Sequence, residues 1–325
     1  MPKFLVILPV SIAGTLIMKG FAAALNSCGF LAVTKDIREV SVPELEELEV
    51  SSILSYDYGF LHNEDLKKYL SENREKYNLI NYFADDPHSS FANAVDNDLY
   101  DELQKFEPYI FMWDKTYLKQ FKNSYYLPLG VNVEMYESDL LANLRYDITF
   151  VGRPLGEKRQ KILSALSKVY GRKLKIFSYE KHFLTGAEEM LAKGLLNQIE
   201  YERFKKSYAG FAKSEEELAE IYSHSKINLN ITIQGHNNMN YRLFEVMASC
   251  GFLLTDYQEC IGEYFTSGKD LETYRDEVEL IDKIDFYLAN PSIAKRISFN
   301  GFEKTVSYHT FIDRARNILA VVENK

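Results

Sequence analysis

Asn240-Tyr241-Arg242-Leu243-Phe244-Glu245-Val246-Met247-Ala248-Ser249-Cys250-Gly251-Phe252-Leu253-Leu254-Thr255-Asp256 reads as a helix that stops and runs straight into a strand. Phe244, Met247 and Ala248 recur at helical spacing, with Leu243 beside them, and form one apolar stripe. Gly251 reads as the left-handed residue that ends the helix, because glycine enters that region without penalty. Phe252 to Thr255 is then a short apolar run of the buried-strand type. Arg242 and Glu245 stand three apart and share a helix face near its start. On spacing alone they also describe an exposed ion pair.

The stretch meets a pattern of the form N-x-R-x-F-E-x-x-A-x-C-G-F-L-L-T-D. In this it resembles the donor-binding helix of GT-B glycosyltransferases, most closely the group related to the spore-maturation protein CgeB. The resemblance is specific from Lys226 to Arg314. It includes Lys226-Ile227-Asn228-Leu229-Asn230-Ile231 and the tail from Gly301 through Val306, His309, Thr310 and Phe311 to Arg314. It is looser from Asn81 to Tyr136 and faint before that.

The resemblance implies an α/β chain of GT-B type, with two Rossmann-like doubly wound domains facing a cleft. Residues 1–140 would form the acceptor-side domain and 141–305 the nucleotide-sugar-binding domain. Residues 306–325 would form a last helix packing back across the domains, and the boundary falls near Glu137 to Tyr146. It further implies a retaining, metal-independent transferase that takes a sugar from a nucleotide-sugar, of UDP type, to a hydroxyl acceptor. That acceptor would be a glycan, a protein or a surface or spore component. Glu245 would accept hydrogen bonds from the ribose hydroxyls, a task that suits a carboxylate because it can take two vicinal donors.

Working outward, Tyr146 to Val151 reads as a strand that delivers Gly152 and Arg153 to its carboxyl end. Pro154-Leu155-Gly156 makes a loop and Glu157 to Val169 a helix. Glycine, a helix start and a cation at one point are the elements of a diphosphate cradle. Lys158 and Arg159 in the first turn oppose the helix dipole. The alternative is that both are solvated surface charges, a reading preferred for Lys158 alone. Val-Gly-Arg resembles the phosphate-contacting start of the second GT-B domain, which adds Arg153 and Gly152 to the donor residues. Asn240, Arg242, Asn237, Asn238 and Tyr208 complete that set by the same resemblance. Wider retaining families carry two glutamates with seven residues between, and here the first position is Asn237. An amide supplies no negative charge.

In the first half, Phe4 to Pro9 reads as a buried parallel strand followed by a helix to Cys28. It lacks the dinucleotide G-x-G-x-x-G. Leu79 to Ala84 is a further strand, running into Asp85-Asp86-Pro87-His88. Carboxylates and an imidazole at a strand's carboxyl end stand where open α/β sheets do chemistry, although Asp-Asp-Pro is also ordinary turn sequence. CgeB-related chains show a similar segment. Asp85, Asp86 and His88 are therefore the candidate catalytic residues, to orient or deprotonate the acceptor hydroxyl. Asp96-Asn97-Asp98 spells a D-x-D metal motif but leads into a helix instead of ending an apolar strand, so no metal site is expected.

The 325 residues allow two domains, and 46% apolar with 26% charged residues is a globular composition. A net charge of −9 argues against a nucleic-acid partner. Cys28, Cys250 and Cys260 lack metal spacing and read as free thiols in a reducing, cytoplasmic setting. The apolar start is broken by Pro9, Ser11 and Gly14 and is read as a strand, not a signal peptide. No apolar run is long enough to span a bilayer, while peripheral membrane contact stays open. The expected cofactor set is empty apart from the nucleotide-sugar. Three rival readings remain: a non-catalytic binding or assembly protein on the same fold, a nucleotide-sugar epimerase, and metal-dependent transfer through Asp96 and Asp98.

Overall fold

The computed structural model describes residues 3–89, 98–136, 143–233 and 237–323. The chain divides into two units. One holds Met1–Val131, Gln234–Met239 and His309–Lys325, the other Asn132–Ile233 and Asn240–Tyr308.

In the first unit the strands are β1 (Lys3–Leu8), β2 (Leu31–Asp36), β3 (Ser52–Tyr56), β4 (Asn78–Phe83), β5 (Tyr109–Met112) and β6 (Ser124–Tyr126), with β1 and β4 where the apolar runs were read. They lie in the order β2-β1-β3-β4-β5-β6, every pair parallel. A parallel sheet is covered on both faces, which is why its central strands read as continuous apolar runs. Leu5, Ile53, Leu79 and Ile110 are each 1% exposed or less. The chain reverses direction across the sheet between β1 and β3, the switch point where such folds bind ligands.

The last helix, Phe311–Val322, belongs to this unit. Thr310 caps it in a capping box with Asp313. Phe311 packs edge-on against Phe21, with ring centroids 5.0 Å apart. A Cβ on Gly20 would stand 2.4 Å from the Phe311 ring, so glycine is what lets the helix seat there. Arg314 donates from Nε to the Pro128 carbonyl at 2.8 Å and pairs with Nδ1 of buried His309 at 2.8 Å. The tail motif thus anchors the last helix within this unit.

The second unit holds β7 (Tyr146–Val151), β8 (Leu174–Phe177), β9 (Tyr208–Gly210), β10 (Ser225–Asn230), β11 (Leu253–Asp256) and β12 (Glu272–Tyr274). Its order is β12-β11-β10-β7-β8-β9, again all parallel. Here the switch point falls between β7 and β10, which put Val151 and Asn230 at neighbouring carboxyl ends. Ile148, Phe150, Ile176 and Leu229 form the sheet's share of the core, under Leu163 and Met190 from two helices.

The helix Tyr241–Ala248 and β11 meet the opening expectation, with one correction. The left-handed residue is Cys250, at φ +53°, and not Gly251. Gly251 answers to space: a Cβ there would stand 2.8 Å from the Asn228 amide and 2.9 Å from the Tyr222 carbonyl. Periodicity cannot distinguish a glycine needed for its dihedral from one needed for its small size. Among the described residues, no helix is long and apolar enough to cross a membrane.

Candidate functional site

At the switch point of the second unit, Gly152 follows β7 with φ +139°, a backbone that favours glycine. A Cβ there would lie 3.0 Å from an Arg242 guanidinium nitrogen, so Arg242 lies across the end of β7 because nothing projects from Gly152. Arg153 comes next and is exposed. Arg159 is only 9% exposed and is not a solvated surface charge. It donates from Nε to the Ile231 carbonyl at 2.9 Å and from a terminal nitrogen to the Arg153 carbonyl at 3.2 Å.

Burial, then the charges of Arg242 and Arg153, push Arg159 down to about 9. Arg159 therefore feels the charges of Arg242 and Arg153 at the end of one strand. The helix Glu157–Tyr170 starts here at Gly156 without a side-chain cap, so its amide end adds to the positive potential. Asp256 offsets part of it but is itself engaged. It accepts from the Thr232 amide at 3.0 Å and from Lys158 at 2.6 Å. An arrangement of this sign favours a bound anion.

Glu245 is buried, 6% exposed. Its partners are tyrosines, and it is joined to Arg242 through one of them. The Tyr136 hydroxyl donates to Oε1 at 2.7 Å, the Tyr222 hydroxyl approaches Oε2 at 3.5 Å, and Arg242 Nε donates to Tyr222 at 3.4 Å. Burial pushes the Glu245 carboxyl up, against the pull of Arg242 and the two hydroxyls. A carboxylate offers about four lone-pair sites, so these contacts leave acceptor capacity.

Asn240 caps the Glu245 helix, accepting from the Leu243 amide at 3.2 Å, and exchanges hydrogen bonds with Asn230 at 3.0 Å each way. Its amide holds the helix start against β10. Tyr208 starts β9, two strands away from β7, and its ring tilts on Phe183. Asn237 and Asn238 fall in the first unit. The Asn237 amide and the Asn238 side chain donate to Asp114 at 3.3 and 3.1 Å, and Asp114 also caps the turn Lys115–Gln120. The structure thus gathers Gly152, Arg153, Arg242 and Glu245 with Asn240 beside them, and sets Tyr208 two strands from β7.

In the first unit, Asp85 follows β4 and accepts from the Tyr56 hydroxyl at 3.0 Å. Its carboxylate neighbour is Asp57, at the end of β3, not Asp86. Asp57 is 3% exposed, sits at φ +46° and accepts from the Ala84 amide at 3.1 Å. Burial, then the charge of Asp85, holds its carboxyl well above the usual range. Asp86 turns the chain, accepting from the His88 amide at 2.9 Å. His88 is exposed, its Nε2 2.6 Å from the Gln120 side-chain oxygen. Gly14 admits the Tyr56 ring, since a Cβ would come 3.1 Å from it. Asp96 and Asn97 lie outside the described residues, and no metal-holding group of His, Cys, Asp and Glu occurs among those described.

Sequence reading missed Arg159, Tyr136, Tyr56 and Asp57. Asp57 did carry a signal, since it follows an apolar strand as Asp85 does. Tyr136 carried none, being 109 residues from Glu245.

Residues 158–320 match a family model described as glycosyl transferase-like. Solved structures share the architecture. Sucrose-phosphate synthase from Thermosynechococcus elongatus aligns with a TM-score of 0.67 at 12% identity, over 99% of this chain and 98% of that one. Anabaena HepE in complex with UDP-glucose aligns with a TM-score of 0.67 at 11% identity, over all of both chains. An alpha-glucosyltransferase in complex with UDP and a mismatched DNA 13-mer aligns with a TM-score of 0.71 at 11% identity, again over all of both. No curated protein sequence matches the chain. The fold is the GT-B fold.

Proposed function

The chain belongs to the glycosyl transferase-like family, and from that premise we propose that it moves a sugar from a UDP-type nucleotide-sugar to a hydroxyl acceptor. One observation carries this reading: the Arg242 guanidinium lies across Gly152 at the end of β7, where Arg159 is bonded to the Arg153 carbonyl. They take the diphosphate and stabilise it as it leaves, by fixed charges that need no reorganisation. Glu245, braced by Tyr136 and Tyr222, accepts from the ribose. The likeness to structures that hold UDP supports the choice of nucleotide.

Asp85, oriented by Tyr56, takes the acceptor proton or aligns the hydroxyl. Transfer needs no metal and retains configuration, by the resemblance to retaining GT-B enzymes. That resemblance, along 240–256 and the tail, also supports membership of the CgeB-related group. The net charge of −9 supports an acceptor other than nucleic acid. The three free cysteines support a cytoplasmic location.

A thermal-shift series with UDP-, GDP-, ADP- and dTDP-sugars tests the donor site, because a ligand that binds the native state raises its apparent stability. A UDP-sugar is expected to give the largest rise, lost in Arg242→Ala. If none of the four gives a rise, the reading fails. A second reading, a binding protein without activity, is favoured by Asn237, which stands in place of a glutamate and is tied to Asp114. It predicts binding without turnover. Release of UDP by wild-type protein but not by Asp85→Asn decides against it.

A further inference from the structure

A cavity of about 220 Å³ opens at the amino end of β10, beside Ser225 and Lys226. It lies at the opposite end of that strand from Asn230 and takes no part in the proposed transfer. Its floor is apolar, built from buried Phe252 and Ala294, with Leu144 at the wall. The thiol of Cys250 lines it, next to the Ser298 hydroxyl and the Lys295 ammonium.

The charge of the cavity can be counted. Lys226 is neutralised by Asp147 at 2.6 Å. Among the described residues, Lys295 is exposed and makes no ion pair, and no acid lines the cavity. The 18-residue helix Pro291–Tyr308 starts at the rim and directs the positive end of its dipole there. The helices Glu215–Ser223 and Tyr241–Ala248 end at the same rim with the opposite sign. Of their last carbonyls, those of Glu220, Met247 and Val246 accept from the amides of His224, Cys250 and Gly251. Among the described residues that line the cavity, Lys295 is the cation without an ion pair.

We propose that this cavity is a second ligand site. It takes a small organic anion whose charged head pairs with Lys295 and whose carbon body lies on Phe252 and Ala294 against the Cys250 thiol. The Cys250 backbone is left-handed, where glycine fits with less strain, so the position is occupied for its side chain. The wall that holds the thiol follows the carboxyl end of the Glu245 helix. Along the helix axis, about 12 Å separates it from Arg242 and about 8 Å from Glu245.

The thiol reports on the site. At an isolated thiol, neutral iodoacetamide alkylates faster than iodoacetate. With native protein at mildly alkaline pH, mass spectrometry resolves the rates at Cys250 and Cys28. The iodoacetate-to-iodoacetamide ratio at Cys250 is expected to exceed that at Cys28 about three- to fivefold, the size of one exposed ion pair. Added salt lowers the excess, Lys295→Ala removes it and Lys295→Arg keeps it. Lys295 is exposed, so its variants should melt with wild type. Protection of Cys250 by n-butyrate or by n-butyl phosphate tells whether the head is a carboxylate or a phosphate. Equal ratios at both cysteines, indifference to Lys295→Ala, or protection by neither probe overturns the proposal.

Discussion

The two sheets are built on one plan and carry opposite charges at the same edge. At the switch point of the first, Asp57 and Asp85 gather near the amino end of the helix Ile12–Ser27, with Tyr56 touching both Asp85 and the space beside Gly14. At the switch point of the second, Arg153, Arg159 and Arg242 gather where the helix Glu157–Tyr170 begins. Parallel α/β topology aims helix amino ends at this edge in both. In the first unit carboxylates answer that potential from within. In the second, arginines add to it and leave a demand that an anion from outside would meet. The difference teaches that a shared fold supplies a field and the side chains decide whether it is spent internally or on a ligand.

The sharpest way to break this division is Asp85→Asn. It is expected to lower transfer about 10²- to 10⁴-fold, the usual worth of a positioned acid or base, with nucleotide affinity unchanged. Calorimetry alongside turnover checks it, and an equal loss of affinity would erase the distinction. Arg242→Ala should do the reverse, weakening UDP about 10- to 100-fold, as expected for charge-assisted hydrogen bonds. Titration calorimetry reads that directly.

Gly152→Ala forces a side chain onto a φ of +139° and against Arg242, and should cost about 1–3 kcal/mol in urea unfolding. A cost near zero would mean that Arg242 swings away freely. The smallest effect is one of pH. Asp57 has a folded-state pKa raised above its unfolded value, so its contribution is full below the unfolded value and is lost as pH rises through the folded one. Asp57→Asn should remove a fall in stability of at most about 1.4 kcal/mol per pH unit over that window. Melts at a series of pH values show whether the slope flattens.

Much of this was legible in the chain itself. Apolar runs gave the strands, because a parallel sheet buried on both faces leaves no polar alternation to confuse the reading. The stretch from Asn240 to Asp256 gave helix and strand within a residue or two of their ends. Gly152 and Asp85 could be singled out because each follows the carboxyl end of a strand, and Arg242 and Glu245 by the resemblance to a donor-binding helix. Arg159 could not: in sequence it is one more charge in a helix's first turn, and only the fold of β10 over it makes it buried. Cys250 and Gly251 exchanged roles for a like reason, since the crowding at Gly251 comes from Asn228 and Tyr222, residues remote in the chain.

By itself, then, the sequence determined two α/β cycles, their strands and the family resemblance, since these rest on local periodicity and on motifs read within a short span. Only the tertiary structure decided that Asp57 is the partner of Asp85, that Tyr136 braces Glu245, and that three arginines share one strand end. Such pairings depend on which strands lie side by side, and no local pattern encodes them.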